Sequence, residues 1–282
     1  MAHHNRMLGV QFLIRILSLI FIIGFSPNTL AEEPQGFTFK PMGATGGIVR
    51  YPNSNQDLDD GNAFAEVWIK PDLEIYRHND TRIKAFILAN YVRDSKPFVY
   101  NNNRKEGIGL SASTRIGDHL EVIASIRRDW YRELETSNKL QGTRYFLNYY
   151  YYKYWPAQGD SELFGMPKQA TIFKSYGGIE YPGSLLEEDD NIVVPLGGEY
   201  SADYRIGDTD FLFVPFADLD FSWDADKNNY NNKFIPSIGL KVRRPIEKGE
   251  FFIGVKYEVD YRWVDETIDH GPKIVAGWYK GF

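Results

Sequence analysis

The chain contains no cysteine, so neither a disulfide framework nor a thiolate metal site is available to it. No apolar run after residue 31 is long enough to cross a bilayer as a helix. Basic residues are in deficit, with 32 Lys and Arg against 38 Asp and Glu, which argues against nucleic acid as a partner. The chain therefore has to be stabilised by backbone pairing and side-chain packing alone.

Motifs for cofactors are equally scarce. Beyond residue 31 the only histidines are His78, His119 and His270, and no glycine-rich phosphate-binding motif is present. The acidic stretches "DLDDG" (57–61) and "EEDD" (187–190) lack the ligand spacing of an EF-hand and are interpreted as solvated loops. We expect neither a cofactor nor a metal site.

The N-terminal segment has the features of an export signal. Residues 1–31 contain Arg6 and Arg15, no acidic residue, the apolar stretch "ILSLIFIIGF" and the small residues Thr29 and Ala31. Cleavage after Ala31 would leave residues 32–282 as the mature protein. A retained membrane anchor is the alternative, although the apolar stretch is short for a span.

Aromatic residues, in contrast, are abundant, at 16% of the chain, with 19 Tyr and 19 Phe. In "FFIGVKYEVDYRW" (251–263) apolar and aromatic side chains alternate with Lys256, Glu258, Asp260 and Arg262. Such alternation predicts a β-strand with two unlike faces. The fold class depends on which of those faces meets water.

The same pattern recurs along the mature chain. We predict an all-β, antiparallel, up-and-down transmembrane β-barrel of about twelve strands, because each segment has roughly the ten residues that a tilted membrane strand needs. The predicted strands are 38–50, 62–76, 82–93, 106–116, 120–130, 143–154, 170–181, 192–204, 210–222, 233–244, 250–263 and 273–282. Pro71, Pro195, Pro215 and Pro236 fall inside strands and should mark bulges or strand ends.

The predicted connections alternate in length. Residues 77–80, 116–119, 206–209 and 246–249 form tight turns with Gly, Asn or Asp at positions that can take positive φ. Longer polar loops lie between them, at 52–61, 95–105, 132–141, 183–191, 225–232 and 265–271. Short turns at one rim and long loops at the other are typical of outer-membrane barrels. The long connection 156–169 breaks this rule on the short side.

Charged side chains of both signs and other polar side chains occupy every second position of the strands, and the apolar residues occupy the positions between them. We call each of these two alternating sets a parity. If the apolar face meets lipid, this polar face lines an aqueous lumen. The predicted lumen-lining residues, past which a solute would move, are Glu66, Lys70, Asp72, Arg82, Lys84, Glu121, Arg127, Arg144, Tyr150, Tyr152, Glu199, Asp203, Asp218, Asp220, Lys241, Arg243, Lys256, Glu258, Asp260 and Arg262.

Two features favour lipid on the apolar face. Aromatic residues of the outward parity gather near strand ends, as at Trp130 and Trp223, where they would form interfacial girdles. The ending "IVAGWYKGF" is similar to the C-terminal recognition signal of bacterial outer-membrane barrels, although Lys280 departs from it. A secreted β-sandwich or lipocalin-like barrel, with its apolar face inward, is the alternative.

Three segments carry a further likeness: "DFLFVPFADLDFSW" (210–223), "FIPSIGLKVRRPI" (234–246) and "FFIGVKYEVDYRW". In them the chain resembles the C-terminal barrels of phage-adsorption outer-membrane proteins and of exopolysaccharide exporters. The resemblance implies an outer-membrane channel for a polar solute, with polysaccharide export as the specific case. It also implies a separate periplasmic partner, which could contact the 156–169 connection; outer-membrane lipid is the other expected partner.

Two other functions remain open. Asp189, Asp190, Asp269 and His270 fall on predicted outer loops, where they could form an acid and Asp–His site of a rim hydrolase. Adjacent strand residues point to opposite faces, however, so we expect no enzyme. A non-conducting receptor or scaffold barrel is the third possibility.

Overall fold

The structure is a computed structural model, and it describes residues 35–53, 61–97, 101–183, 185, 191–227 and 231–282. The predicted signal peptide and most of the two acidic stretches lie outside these residues. Within the described ranges, no helix is long and apolar enough to span a membrane.

The described residues form twelve long strands and one two-residue strand in a single antiparallel sheet. The strands are β1 (Gly36–Tyr51), β2 (Phe64–His78), β3 (Thr81–Asp94), β4 (Asn103–Ile116), β5 (Leu120–Glu133), β6 (Lys139–Pro156), β7 (Glu162–Leu163), β8 (Met166–Tyr181), β9 (Val193–Arg205), β10 (Leu212–Asp224), β11 (Lys233–Ile246), β12 (Gly249–Arg262) and β13 (Thr267–Gly281).

The sheet closes into a barrel. Each long strand pairs with its neighbours in sequence, β6 pairs with β8 across the long connection, and β13 pairs with β1. Closure leaves none of the long strands as a free edge. A sheet in a membrane requires this, because lipid cannot hydrogen-bond the unpaired backbone groups of an edge strand. The prediction of a twelve-stranded up-and-down barrel is confirmed.

The two rims differ as predicted, with local corrections. Asn79, Gly117 and Gly207 take positive φ in three of the short turns, but in the fourth the positive φ belongs to Lys248 and not to Gly249. The prediction of a long loop at 265–271 was wrong, because β13 begins at Thr267 and pairs in register with β12. We call the rim that contains the four short turns the short-turn rim, and the opposite rim the long-loop rim.

The apolar parity faces outward. Ile253 and Val255 on β12 are 59% and 53% exposed, whereas Glu258 and Asp260 on the other parity are buried inside the barrel. Many outward side chains are exposed in the same way, including Val67, Ile87, Ile108, Ile238 and Ile274. A continuous apolar exterior around a closed barrel belongs in lipid, so the chain is an outer-membrane barrel and the soluble alternative is wrong.

The four prolines that were predicted to mark bulges or strand ends interrupt pairing on one side only. The register between β2 and β3 skips Pro71, and the register between β9 and β10 skips Pro215. Pro195 and Pro236 are skipped in the pairings of β9 with β8 and of β11 with β12. Each proline therefore keeps one partner strand and loosens the other, as a residue without an N–H must.

The barrel consists of two six-stranded halves that repeat the same contacts, β1–β6 and β8–β13. Asp94, at the end of β3, accepts hydrogen bonds from Asn62 Nδ2 and Asn101 Nδ2 at 2.8 and 2.9 Å, and its own N–H donates to Asn102 at 3.1 Å. Near the long-loop rim, this first clasp (Asp94, Asn62, Asn101, Asn102) ties the start of β2 to the connection after β3.

The second half repeats the cluster at the end of β10. Asp224 accepts from Asn191 Nδ2 and Asn231 Nδ2 at 2.9 and 2.7 Å, and its N–H donates to Asn232 at 3.0 Å. This is the second clasp (Asp224, Asn191, Asn231, Asn232). Equivalent strands lie six places apart in a ring of twelve long strands, so the two clasps stand on opposite sides of the barrel.

Candidate functional site: the barrel lumen

The inner face of the barrel is held by ion pairs between strands that are not neighbours. Lys241 on β11 donates to Glu199 on β9 at 2.5 Å, and Lys256 on β12 lies 3.3 Å from Asp218 on β10. Side chains that reach past an intervening strand in this way meet on the concave inner face of the curved sheet. The polar parity therefore forms a connected network in the lumen.

Each half also contains a triad in which one buried acid lies between two cations. In the first triad, Asp129 lies 2.5 Å from Arg127 and 3.8 Å from Arg144. Its carboxylate is fully buried, so these cations are what make its charge tolerable there.

In the second triad, Glu258 pairs with Lys256 at 3.1 Å and with Lys273. The outer cation of each triad also donates to a backbone carbonyl of the other half. Arg144 donates to Gly183 at 2.5 Å, and Lys273 donates to Asn53 at 2.7 Å. The two triads thus stabilise the seams where the halves join.

A constriction is formed by side chains that reach across the lumen. Lys174 on β8 and Glu250 on β12 approach to 3.9 Å although three strands separate them along the wall. Glu250 also accepts a hydrogen bond from Arg243 at 2.6 Å, and Arg243 pairs with Asp203. These side chains narrow the lumen.

Tyrosines line the lumen beside this constriction. Tyr150 and Tyr176 stand opposite each other on β6 and β8, and both rings are partly open to solvent. Tyr150 is also within electrostatic range of Glu250 and of Tyr279 on the opposite wall. Their hydroxyls and ring faces offer hydrogen bonds and apolar contact together.

The predicted lumen residues all lie on the inner parity, but their surroundings differ. Glu66 accepts from Asn90 at 2.6 Å, Asp220 accepts from Tyr176 at 3.0 Å, and Lys70 lies over the Phe86 ring at 4.5 Å. Lys84 and Glu121 make no ion pair within the described part of the chain. Whether these residues act on a passing solute stays a prediction.

Sequence reasoning missed several charged residues of the inner face: Lys105, Lys174, Glu180, Glu250 and Lys273. Lys105 fell in a predicted loop, and Glu250 and Lys273 were the first residues of predicted strands, where parity could not be assigned. Extending each alternating pattern outward by a few residues would have placed all three on the inner face.

The structure separates the Asp–His pair that the rim hydrolase interpretation requires. His270 points outward, where its Nδ1 hydrogen-bonds the Tyr257 hydroxyl at 2.6 Å, while Asp269 stands on the inner face opposite Asp260. The two side chains therefore cannot act on one substrate. Asp189 and Asp190 lie outside the described residues. No group of three His, Asp or Glu side chains in the described ranges is placed to hold a metal ion.

No protein-family model matches the chain, and no curated protein matches it either. Among solved structures it is similar to an outer-membrane channel from Pseudomonas putida F1, with 9% identity, 91% of this chain and 99% of that chain covered, and a TM-score of 0.45.

Two further structures share this likeness. The β-domain of the Bordetella autotransporter Brka has 11% identity, 88% and 100% coverage and a TM-score of 0.42. The KdgM porin in complex with disordered oligogalacturonate has 7% identity, 86% and 99% coverage and a TM-score of 0.40. At these identities and scores the comparisons identify no family for the chain.

Proposed function

We propose that the barrel is a channel that lets a polar solute, specifically a saccharide, cross the outer membrane. The observation that carries the proposal is the lumen itself, in which partly exposed tyrosines lie beside paired charges. Aromatic rings next to charged groups suit a sugar, because a sugar offers an apolar ring face and hydroxyls at once. Export of a polysaccharide is the specific form that the sequence resemblance suggests.

A non-conducting scaffold is the second candidate, and the ion pairs favour it. Buried, fully paired charges such as Asp129 and Arg144 stabilise a filled lumen rather than an open one. The distinction rests on whether the Lys174–Glu250 constriction opens. An ion pair that is only partly buried exchanges readily for water, and both of these side chains keep some exposure.

The test is single-channel recording in a planar bilayer. We expect the wild type to conduct, and Glu250→Ala to conduct more, because truncation removes one side of the pair that crosses the lumen. Glu121→Ala, which removes a carboxylate that makes no ion pair in the described residues, is the matched control and should change conductance less. Absence of any channel in both wild type and Glu250→Ala would establish the scaffold.

We also propose that the connection between β6 and β8 contacts a periplasmic partner. There β7 and the start of β8 form a small hairpin on the short-turn rim, with Phe164 at its tip 86% exposed. A ring this exposed does not form part of the lumen constriction. Deleting Glu162–Gly165 should abolish a periplasmic partner's co-purification and leave conductance unchanged; equal recovery of that partner with the deletion variant would refute the contact.

A further inference from the structure

Four neighbouring strands of the first half place polar side chains around one cavity near the long-loop rim. Asn90 on β3, Lys105 on β4 and Tyr131 on β5 stand in direct cross-strand register on the inner face. With Arg144 on β6 and the ring of Phe64, they line a cavity of about 280 Å³, which we call the Lys105 cavity. This volume suits one small ring rather than a larger ligand.

Two donors at this cavity have no acceptor among the residues that the structure describes. The Tyr131 side chain is 6% exposed, and its buried hydroxyl has no hydrogen-bond partner. Lys105, directly opposite Tyr131, makes no hydrogen bond and no ion pair with any residue that the structure describes. A buried donor without an acceptor is costly, and Lys105, which is only partly buried, adds a positive charge beside it, so a ligand that supplied an anionic acceptor would be stabilised here.

The acids around Lys105 are paired with other cations, so its own positive charge is not balanced by a described residue. Arg127, Arg144, Asp129 and Glu180 all act on it electrostatically. Arg127 is paired with Asp129 at 2.5 Å, and Arg144 is paired with Glu180 at 2.6 Å. Both neighbouring cations therefore have their own acids, and of these three cations Lys105 is the one with no acid among the described residues. It can therefore bind an anionic oxygen, the acceptor that a cation and a phenol share best.

The opposite wall of the cavity accepts hydrogen bonds. Glu66 holds the Asn90 amide at 2.6 Å through one oxygen, which leaves lone pairs on its carboxylate for other donors. The cavity thus has a donor end at Lys105 and Tyr131 and an acceptor end at Glu66, with an apolar ring at Phe64.

We propose that the Lys105 cavity binds a hydroxylated ring that carries one anionic group. The anionic group lies against Lys105 and Tyr131, hydroxyls donate to Glu66, and the apolar ring face packs on Phe64. The proposal rests on the proposed function, because a solute in the lumen is what would reach the cavity, and it narrows that solute to an acidic sugar.

The second half of the barrel shows that this cavity is a local specialisation. At the equivalent places, Ile235 replaces Lys105 and Asp260 replaces Tyr131. Asp260 is paired with Arg262 at 3.1 Å, so no unpaired cation and phenol stand together there. Among the described residues, the two halves of the barrel therefore present one such site.

The test is calorimetric titration of the full-length mature protein in detergent with glucuronate, glucose 6-phosphate and glucose. We expect an anionic sugar to bind and glucose to bind at least about tenfold more weakly. Binding of glucuronate alone identifies a carboxylate ligand, and binding of glucose 6-phosphate alone identifies a phosphate ligand; both support the site. Equal affinity for glucose, or no binding of either anionic sugar, would overturn it.

Variants locate the binding. Lys105→Met should weaken binding of the anionic sugar about tenfold or more, and Tyr131→Phe, which removes only the hydroxyl, about threefold to tenfold. Arg104→Met is the matched control, because Arg104 directly precedes Lys105 on the same strand but points outward and is exposed. Loss of affinity in Arg104→Met equal to that in Lys105→Met would refute the site.

The titration needs no conductance, which separates this proposal from the channel. A barrel that binds glucuronate but conducts nothing keeps the site and refutes the channel. A barrel that conducts but binds neither anionic sugar supports the channel and refutes the site. If Lys105→Met fails to assemble, the affinity of Tyr131→Phe for the anionic sugar tests the site by itself.

Discussion

Val255 and Lys256 are adjacent in sequence, yet they lie in two different environments. Val255 is 53% exposed on the outer wall, whereas Lys256 lies between Asp218 and Glu258 in the lumen. The alternation of a strand is enough to cause this, because successive side chains leave opposite faces. Lipid on one side and paired charges on the other then fix the orientation of β12.

A lysine at position 255 should therefore be harmful. We expect Val255→Lys to lower the free energy of unfolding by about 2–4 kcal/mol, since its charge would stand in the apolar layer. Urea unfolding in lipid vesicles measures the loss. Val255→Leu, which keeps an apolar side chain, is the control and should change stability little; equal loss in both variants would contradict the lipid-facing assignment.

Much of the fold was predictable at the residue scale, because a period of two identifies strands and sorts their side chains. The contacts between those side chains were not. Lys241 meets Glu199 only because β9, β10 and β11 pair in a particular register and the wall curves. Alternation along one strand contains no information about that register, so the polar face was predictable and its ion pairs were not.

At the scale of elements, the strands depend on their connections. The short turns needed positive φ, and three of them used Asn or Gly as expected. On the other rim, Asn191 and Asp224 meet although many residues separate them in sequence. Composition alone had indicated only polar loops there, because a cluster of this kind depends on where two strands end.

The two clasps should contribute equally to the long-loop rim. Asp94→Ala and Asp224→Ala each remove an acceptor that serves two asparagine side chains, so each should lower stability by about 2–3 kcal/mol. Limited proteolysis should then cut 95–102 in the first variant and 225–232 in the second. Asp226→Ala, two residues beyond the second clasp's aspartate, is the control, because only its backbone N–H contacts the clasp among the contacts described.

If one aspartate proved dispensable while the other did not, the equivalence of the two halves would fail at this rim. Protection of both segments in both variants would mean that the loops are held by other contacts.

At the scale of the whole molecule, the barrel is a ring of two similar halves. Phe86 packs over Gly109 in the first half, and Phe216 packs over Gly239 in the second, where an added Cβ would meet each ring at 2.6 Å. This repeat spans about half of the barrel, six long strands in each copy. It became visible through contacts, because the charged residues differ between the halves while their positions agree.

The central claim is that water lies inside this barrel and lipid outside, and the tyrosines of β6 test it directly. The chain has no cysteine, so Tyr149→Cys, Tyr150→Cys, Tyr151→Cys and Tyr152→Cys each provide one unique thiol. The measurement is the reaction of each variant, in intact outer membranes, with a charged thiol reagent. Tyr150→Cys and Tyr152→Cys should react because they face the lumen, and Tyr149→Cys and Tyr151→Cys should be protected by lipid. The reverse alternation, or equal reaction at all four positions, would contradict the account.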